Sequence, residues 1–442
     1  PTLKGPAGIP TVVTSFSDFQ AKFGDVFKNG VNGSSVQFLT SHAAEEYLKN
    51  SDTLTVVRVM DGAFGPATAE VTCSIASTDD QQSFTLETLA DGAIMNNADT
   101  TATTNNILVS GSKHNIRYEV SNVNNKKGTF TLLVRAGNDN IKRKQTLETF
   151  TGVNLDPNST NFISKVIGDQ VQTIRTDENS NPFLQLTGSY PNKSRFVRVK
   201  SVNSLTTDYL GENGNVRVPS ASGSLPAAGS GSSNGGFSGG SNGVSGFDAL
   251  GNQVGSAAAG VYNFYEDIAT AGSQGLKPQT ADEGLTGYTQ ALDLLKNQDE
   301  FDINLILLPG VINSIHSAVA SKAIDVCESR GDCFTVIDPV VYGKNVTDAT
   351  TESEGKDSNF AAMYWPWVKV PDSQVAGTQR WVPPSTVIGG IYAFNDRVAH
   401  PWFAPAGLNR GGITTAIQAE RKLTQGNRDD LYDSNVNPIA TF

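Results

Sequence analysis

Four histidines, three cysteines and a few glycine-flanked serines are the residues with which this chain could do chemistry. The stretch His400-Pro-Trp-Phe-Ala-Pro-Ala-Gly-Leu-Asn-Arg-Gly411 sets a histidine, a tryptophan and an arginine among prolines and glycines, the composition of a loop that holds a general base. Neither it nor His42, His114 or His316 stands in an HExxH pattern or beside a CxxC pair, so no metal site is spelled out. His316 falls on an amphipathic stripe and reads as a half-exposed structural histidine. The nucleophile-elbow pattern G-x-S-x-G occurs at Gly231–Gly235, Gly236–Gly240 and Gly239–Gly243. All three matches lie in a Gly/Ser tract without the preceding strand and following helix that position a nucleophile. That tract also lacks the G-x-x-x-x-G-K-[ST] phosphate cradle. Asp429, Asp430 and Asp433 could gather a divalent cation, but acidic residues at a helix end are the simpler reading. Met363-Tyr364-Trp365-Pro366-Trp367, continued by Val368, Val370 and Pro371, reads as an edge strand with alternating faces rather than a stacking platform. Cys327 and Cys333 are too widely spaced for CxxC, and with Cys73 they make no disulfide framework, so buried or free thiols in a reducing compartment are expected. Between them, Arg330-Gly331-Asp332 is an adhesion-type tripeptide where a helix should end, which makes Gly331 a C-cap.

The totals point the same way. The chain has 442 residues, enough for two to four domains, with 38% hydrophobic and only 17% charged residues. The remainder is rich in Ser, Thr, Asn and Gly, which suits β-rich modules and long loops. A net charge of −11 argues against a nucleic-acid-binding face. No apolar run approaches the ~20 residues of a membrane span, and the opening PTLKGPAGIP is not a signal peptide.

Stepping along the chain, Thr11–Val13 reads as a strand and SFSDFQAKFGD as a helix. Ser17 and Gln20 form its capping box, Phe16 the staple, Phe19 and Phe23 one buried face, and Gly24 the stop. A helix around His42–Asn50 and a strand Leu54–Met60 follow. From Ala67 to Thr176 come short β segments, AEVTCSIAS, SFTLETLA, NILVSGS, IRYEVSN, TFTLLVRAG and QVQTIRT, with one helix near Asn161–Ile167. RFVRVKSV begins at Arg195. Ser220–Gly246 reads as a flexible loop too poor in apolar residues to order itself. Helical spacing returns with Leu285, Tyr288, Leu292 and Leu295. FDINLILLPG is then a buried strand, Ile312, Ile315, Val319, Ala323 and Val326 a helix stripe, and FTVIDP the next strand. That order is a βαβ unit on a parallel sheet. The expected fold is an α/β core split in sequence (1–62 plus 282–442), with an inserted β-rich domain 63–176 and a second insertion 177–281 carrying the flexible loop 220–246.

Six blocks, in order, resemble the tail sheath proteins of contractile phage tails and related injection machines. They are GPAGIPTVVTSFSDFQAKFG, AAEEYLKNSDTLTVVRV, YTQALDLLKNQDEFDINLILLPG, AAMYWPWVKVPD, WVPPSTVIGGIYAFNDRVAHPWFAPAGLNRGGI and RKLTQGNRDDLYDSNVNPI. The likeness covers residues 5–62 and about 282–439, and the centre matches only loosely. It implies a structural protomer, not an enzyme, with no catalytic, cofactor-binding or metal residues and no cofactor. The implied partners are copies of itself in a helix, an inner tail tube, and baseplate and tail terminator proteins, with no nucleic acid and no membrane span. The implied place is the exterior of the virion tail, assembled in the host bacterial cytoplasm. Compared with the family pattern, the chain reads as a trimmed core without its N-terminal arm and C-terminal domain, and so as a monomer. In this light His400–Gly411 is a rigid turn. Pro401 and Pro405 fix the backbone, Trp402 and Phe403 pack on the core, and Gly407, Gly411 and Gly412 bend the chain before a helix from Thr414. The rival reading is a host- or glycan-binding virion protein built on the Ser/Thr/Asn-rich insert.

Overall fold

The computed structural model describes residues 1–28, 35–75, 82–97, 111–140, 142–244, 246–254 and 262–441. The NILVSGS segment falls, from residue 106 to 110, outside the described residues.

The chain opens with β1 (Thr11–Val13) and α1 (Phe16–Phe23), then the short β2 (Phe27–Lys28) and β3 (Ser35–Val36), α2 (Leu39–Leu48) and β4 (Leu54–Val56). Ser15, not Ser17, caps α1: its Oγ accepts the Asp18 N–H at 3.1 Å. Ser17 is instead in the first turn, because the helix begins at Phe16. The expected face is present, with Phe19 and Phe23 both fully buried and their rings 5.5 Å apart. β1 and β4 pair antiparallel.

Next come β5 (Phe64–Thr72), β6 (Gln82–Asp91), β7 (Ile116–Asn124), β8 (Thr129–Ala136), β9 (Thr146–Asn154), α3 (Ile163–Ile167), β10 (Val171–Thr176), β11 (Pro182–Thr187), β12 (Val197–Val202), β13 (Gly231–Gly236) and β14 (Ser241–Asn242). They build two antiparallel four-stranded sheets, β12-β6-β5-β14 and β13-β7-β8-β9, plus the hairpin β10-β11. The two sheets share one core, in which Phe84 of β6 stacks on Phe130 of β8 at 5.6 Å. A boundary near Asp177 is not seen, because β12, β13 and β14 complete the sheets begun by β5–β9.

The tract 220–246 is likewise not a structureless loop. Phe237 is 1% exposed and meets Tyr118 edge-on at 6.2 Å, Leu225 is fully buried, and Ser238 and Thr68 exchange backbone hydrogen bonds of 2.8 and 2.9 Å. Composition misleads here because the glycines serve close approach. A Cβ on Gly235 would lie 2.1 Å from the Tyr118 carbonyl oxygen, so only glycine lets β13 lie against β7. Two apolar anchors then suffice to hold the tract.

The last part contains α4 (Leu285–Leu295), β15 (Leu305–Ile312), α5 (Asn313–Arg330), β16 (Phe334–Asp338), α6 (Val346–Glu354), β17 (Ala361–Trp365), β18 (Val368–Pro371), β19 (Gln379–Val382), α7 (Ser385–Val398), α8 (Gly407–Arg410), β20 (Gln418–Ala419), α9 (Gln425–Asp433) and β21 (Val436–Pro438). β15-β16-β17-β21 is a parallel sheet, with the βαβ unit where periodicity placed it. Gly331 ends α5 at φ 74°, and its N–H bonds the Cys327 carbonyl. Alternation along β15 sets the layers. Leu305 and Leu307 pack with Val387 and Ile388 of α7, whereas Ile306 packs with Val319 and Ala323 of α5. β17 is not an edge strand: β21 pairs along its far side, and Trp365 is fully buried. β18 continues into a second sheet, between β19 and β20.

The N-terminal elements pack directly on this last part. α2 lies on α7 and touches β15. Asp61 ties the junction. Its carboxylate accepts the N–H of Gly62 at 2.9 Å, of Gly284 at 2.8 Å and of Gly287 at 3.2 Å, so it caps α4 from a distance. Arg58, 3% exposed, donates to the carbonyls of Gly5 at 2.7 Å and Asp91 at 2.8 Å. Phe27, Phe38, Phe247 and Phe264 close an aromatic cluster at the same joint, with Phe27 and Phe247 4.3 Å apart.

If the Gly/Ser tract is part of the sandwich, Phe237→Ala costs about 3–5 kcal/mol of unfolding free energy in urea, as for a buried core phenylalanine. A cost below ~1 kcal/mol would return the tract to loop status.

Candidate functional site

The residues singled out for chemistry are scattered, and most are engaged in structure. His42, His114 and His316 are each held near pKa 4, in every case chiefly by burial. They are therefore neutral at physiological pH. His316 is fully buried rather than half-exposed. It sits at an irregular point of α5 (φ −132°, ψ 40°), where its Nδ1 accepts the Ile312 N–H at 3.2 Å. His42 faces Tyr265 edge-on at 5.8 Å. The serines of the three G-x-S-x-G matches lie in β13, in the Ser238 bridge to Thr68 and in β14, and none leads into a helix. Asp429, Asp430 and Asp433 ride on α9, and among the described residues no group of three or more His, Cys, Asp or Glu could hold a metal ion.

Cys73, Cys327 and Cys333 are buried free thiols, and burial pushes the Cys327 thiol up. The Arg330-Gly331-Asp332 tripeptide is closed to a receptor. The Arg330 side chain is turned inward, paired with Asp332 at 2.8 Å and donating to the Leu295 and Phe301 carbonyls at 2.6 and 2.9 Å.

One buried acid escaped the sequence reading. Asp338, at the end of β16, accepts from Ser385 N at 2.9 Å and Ser385 Oγ at 2.5 Å. Burial raises its pKa to about 7, against the lowering effect of those hydrogen bonds. It pins the start of α7 to the sheet. The signal in the sequence is an Asp closing a strand and a Pro-Pro-Ser opening a helix, but nothing local pairs them.

The surface is more informative than the interior. From Asp396 to Asn409 nearly every side chain is exposed. Trp402 is 76% exposed, Leu408 80%, and Val398 and Phe403 are also open. Trp402 and Phe403 therefore do not pack on the core, as their apolar character suggested. His400 stacks on Trp402 at 4.3 Å, Arg410 covers the Phe403 ring at 4.6 Å, and Asn395 Nδ2 donates to the Phe403 carbonyl at 2.9 Å. The expected helix from Thr414 is absent; the short α8 precedes it, and Thr414 and Thr415 form a turn. This loop presents an exposed aromatic surface braced by its own contacts, which suits association.

Comparisons with known proteins agree on one family. Residues 285–442 match the phage tail sheath protein central domain. The tail sheath protein of Vibrio phage KVP40 is 27% identical over 194 residues, covering 37% of this chain and 28% of that protein. That of Enterobacteria phage T4 is 28% identical over 175 residues, covering 34% and 26%. The chain thus spans little over a quarter of the length of these relatives. A sheath tail protein from Desulfitobacterium hafniense aligns over 100% of this chain and 66% of its own, at 12% identity and a TM-score of 0.45.

Two outcomes follow from the site. Because the native pKa of Asp338 lies above its ordinary value, its protonated form favours folding, an advantage present in acid and lost as pH rises through about 7. Asp338→Asn should therefore gain stability relative to the parent between pH 5 and pH 8, on the order of 2 kcal/mol by denaturant titration. A pH-independent difference would contradict this. Trp402→Ser should change unfolding free energy by less than ~0.5 kcal/mol.

Proposed function

Because residues 285–442 match the phage tail sheath protein central domain, we propose that the chain is a structural protomer of a contractile tail sheath. The observation that carries this reading is where the match falls. Residues 285–442 hold all four strands of the parallel sheet and the exposed aromatic loop. In this reading 1–62 and 282–442 form one α/β unit split in sequence, and 63–281 is an outward-facing insertion.

Copies of the protein pack head to tail around an inner tube, an open helix being what a non-closing heterologous contact generates. Strands exchanged between neighbours hold the net through main-chain hydrogen bonds. Contraction is a rigid-body change between two packings, released from a kinetically trapped extended form. It drives the tube through the host envelope without a cofactor. Baseplate and terminator proteins bound the helix, and the assembled sheath is the exterior of the virion tail, built in the host cytoplasm. The exposed Trp402–Leu408 surface supports this reading, being apolar area that a lone protomer leaves in water.

Negative-stain electron microscopy of the complete gene product, expressed alone, is the test. Long striated hollow tubes are expected, and a Trp402→Ser, Leu408→Ser variant should fold yet form fewer or shorter tubes. Discrete globular particles from the parent protein would overturn the sheath reading in favour of a receptor- or glycan-binding role for residues 63–281.

A further inference from the structure

A slot of about 210 Å³ opens where the N-terminal elements meet the parallel sheet. Two strands and two helices frame it. Residues of β4 and β15, each paired on one side only, line it together with residues of α2 and α4 and with Pro1. Its interior is apolar, with Ala43 and Ala44 of α2, Val56 of β4, and Ala291 and Leu292 of α4. For scale, a dry apolar cavity of about 150 Å³ takes up benzene, so this one has room for a ring with a short substituent.

Two phenols line the slot, Tyr47 of α2 and Tyr288 of α4, and Tyr288 is the more deeply buried. It is 4% exposed, and among the described residues no group bonds its hydroxyl; burial is the sole influence on it. An unpartnered hydroxyl open to the slot can donate to an acceptor that a ligand brings. The mouth bears Asp302, whose carboxylate disfavours anions.

We propose that the slot between β4 and β15 is a binding site for a small uncharged molecule. Such a ligand has an apolar body of roughly one ring and a single hydrogen-bond acceptor that meets Tyr288 Oη. The site is separate from the aromatic loop and does not depend on assembly. Its walls come from both 39–59 and 288–309, so an occupant adds contacts across the joint between these two stretches. It should stabilise the folded chain through binding alone.

The test uses the whole chain and three probes, read by ligand-observed NMR and by thermal unfolding. Acetophenone carries the ring and the acceptor, ethylbenzene the ring alone, and benzoate a charge. Acetophenone is expected to bind saturably at millimolar concentration or below and to raise Tm. Ethylbenzene should bind about 3–10-fold more weakly, the net value of one hydrogen bond, and benzoate should not bind. Tyr288→Phe should erase the difference between ketone and hydrocarbon, and Ala291→Leu should abolish binding of both. Should Ala291→Leu fail to fold, Ala43→Leu fills the slot from α2. Absence of saturable acetophenone binding, or undiminished binding to the filled variant, would overturn the proposal. Equal affinities of parent and Tyr288→Phe for the ketone would overturn the assigned role of the hydroxyl.

Discussion

The buried carboxylate of Asp61 is the constraint on which the rest of the chain depends. It stands where the polypeptide leaves the N-terminal elements and accepts N–H groups from Gly62 on departure and from Gly284 and Gly287 on return. α4 has no cap of its own, since Gly284 offers no side chain. The start of that helix is therefore stabilised only when the two ends of a long excursion lie side by side. Arg58 reinforces the joint from three residues away, donating to Gly5 and to Asp91 at the end of β6. A side-chain acceptor shared by two distant segments couples their folding more tightly than apolar contact alone, because it is satisfied by a single register.

The same economy governs the reactive residue types. Burial keeps three of the four histidines neutral, turns Arg330 into a clasp for the α4–β15 connection, and pushes the Cys327 thiol up. The polar groups of the interior act as fasteners at element ends, as Asp338 does for α7. What remains for interaction is the surface, and its most apolar stretch is a loop braced by its own contacts, His400 on Trp402 and Arg410 on Phe403. A loop held in this way loses little further freedom on being covered.

The parallel sheet was legible in the sequence because its signals are local. The stripes of α4 and α5, the apolar runs of β15 and β16 and the C-cap at Gly331 are each contained within a single element and its flanks. The misreadings share the opposite property. β17 reads as an edge until Val436–Pro438, some seventy residues on, pairs along it. The half-polar β9 and β11 carry no strong apolar alternation and were not distinguished from turns. The Gly/Ser tract has the composition of a linker, yet one phenylalanine and glycine's missing Cβ make it part of a sheet. Trp402 illustrates the converse error, since an apolar side chain says nothing about whether its own chain will cover it. Of the fasteners, neither Asp61 nor the Asp338–Ser385 pair could be read, because each joins residues far apart.

The interleaving of strands has a consequence for synthesis. β5 pairs with β14, whose first residue is Ser241, and α2 packs on α7, which begins at Ser385. A chain emerging from the ribosome in order cannot finish its sandwich until residue 242 is free, nor its α/β unit until nearly all of it has been made. Phe19 and Phe23 find their partners at once in Val13, Ala44 and Val56, whereas Leu39, in the core shared with Val387 and Ile388, waits for α7. The sheets of β5–β14 can therefore close before α2 meets α7.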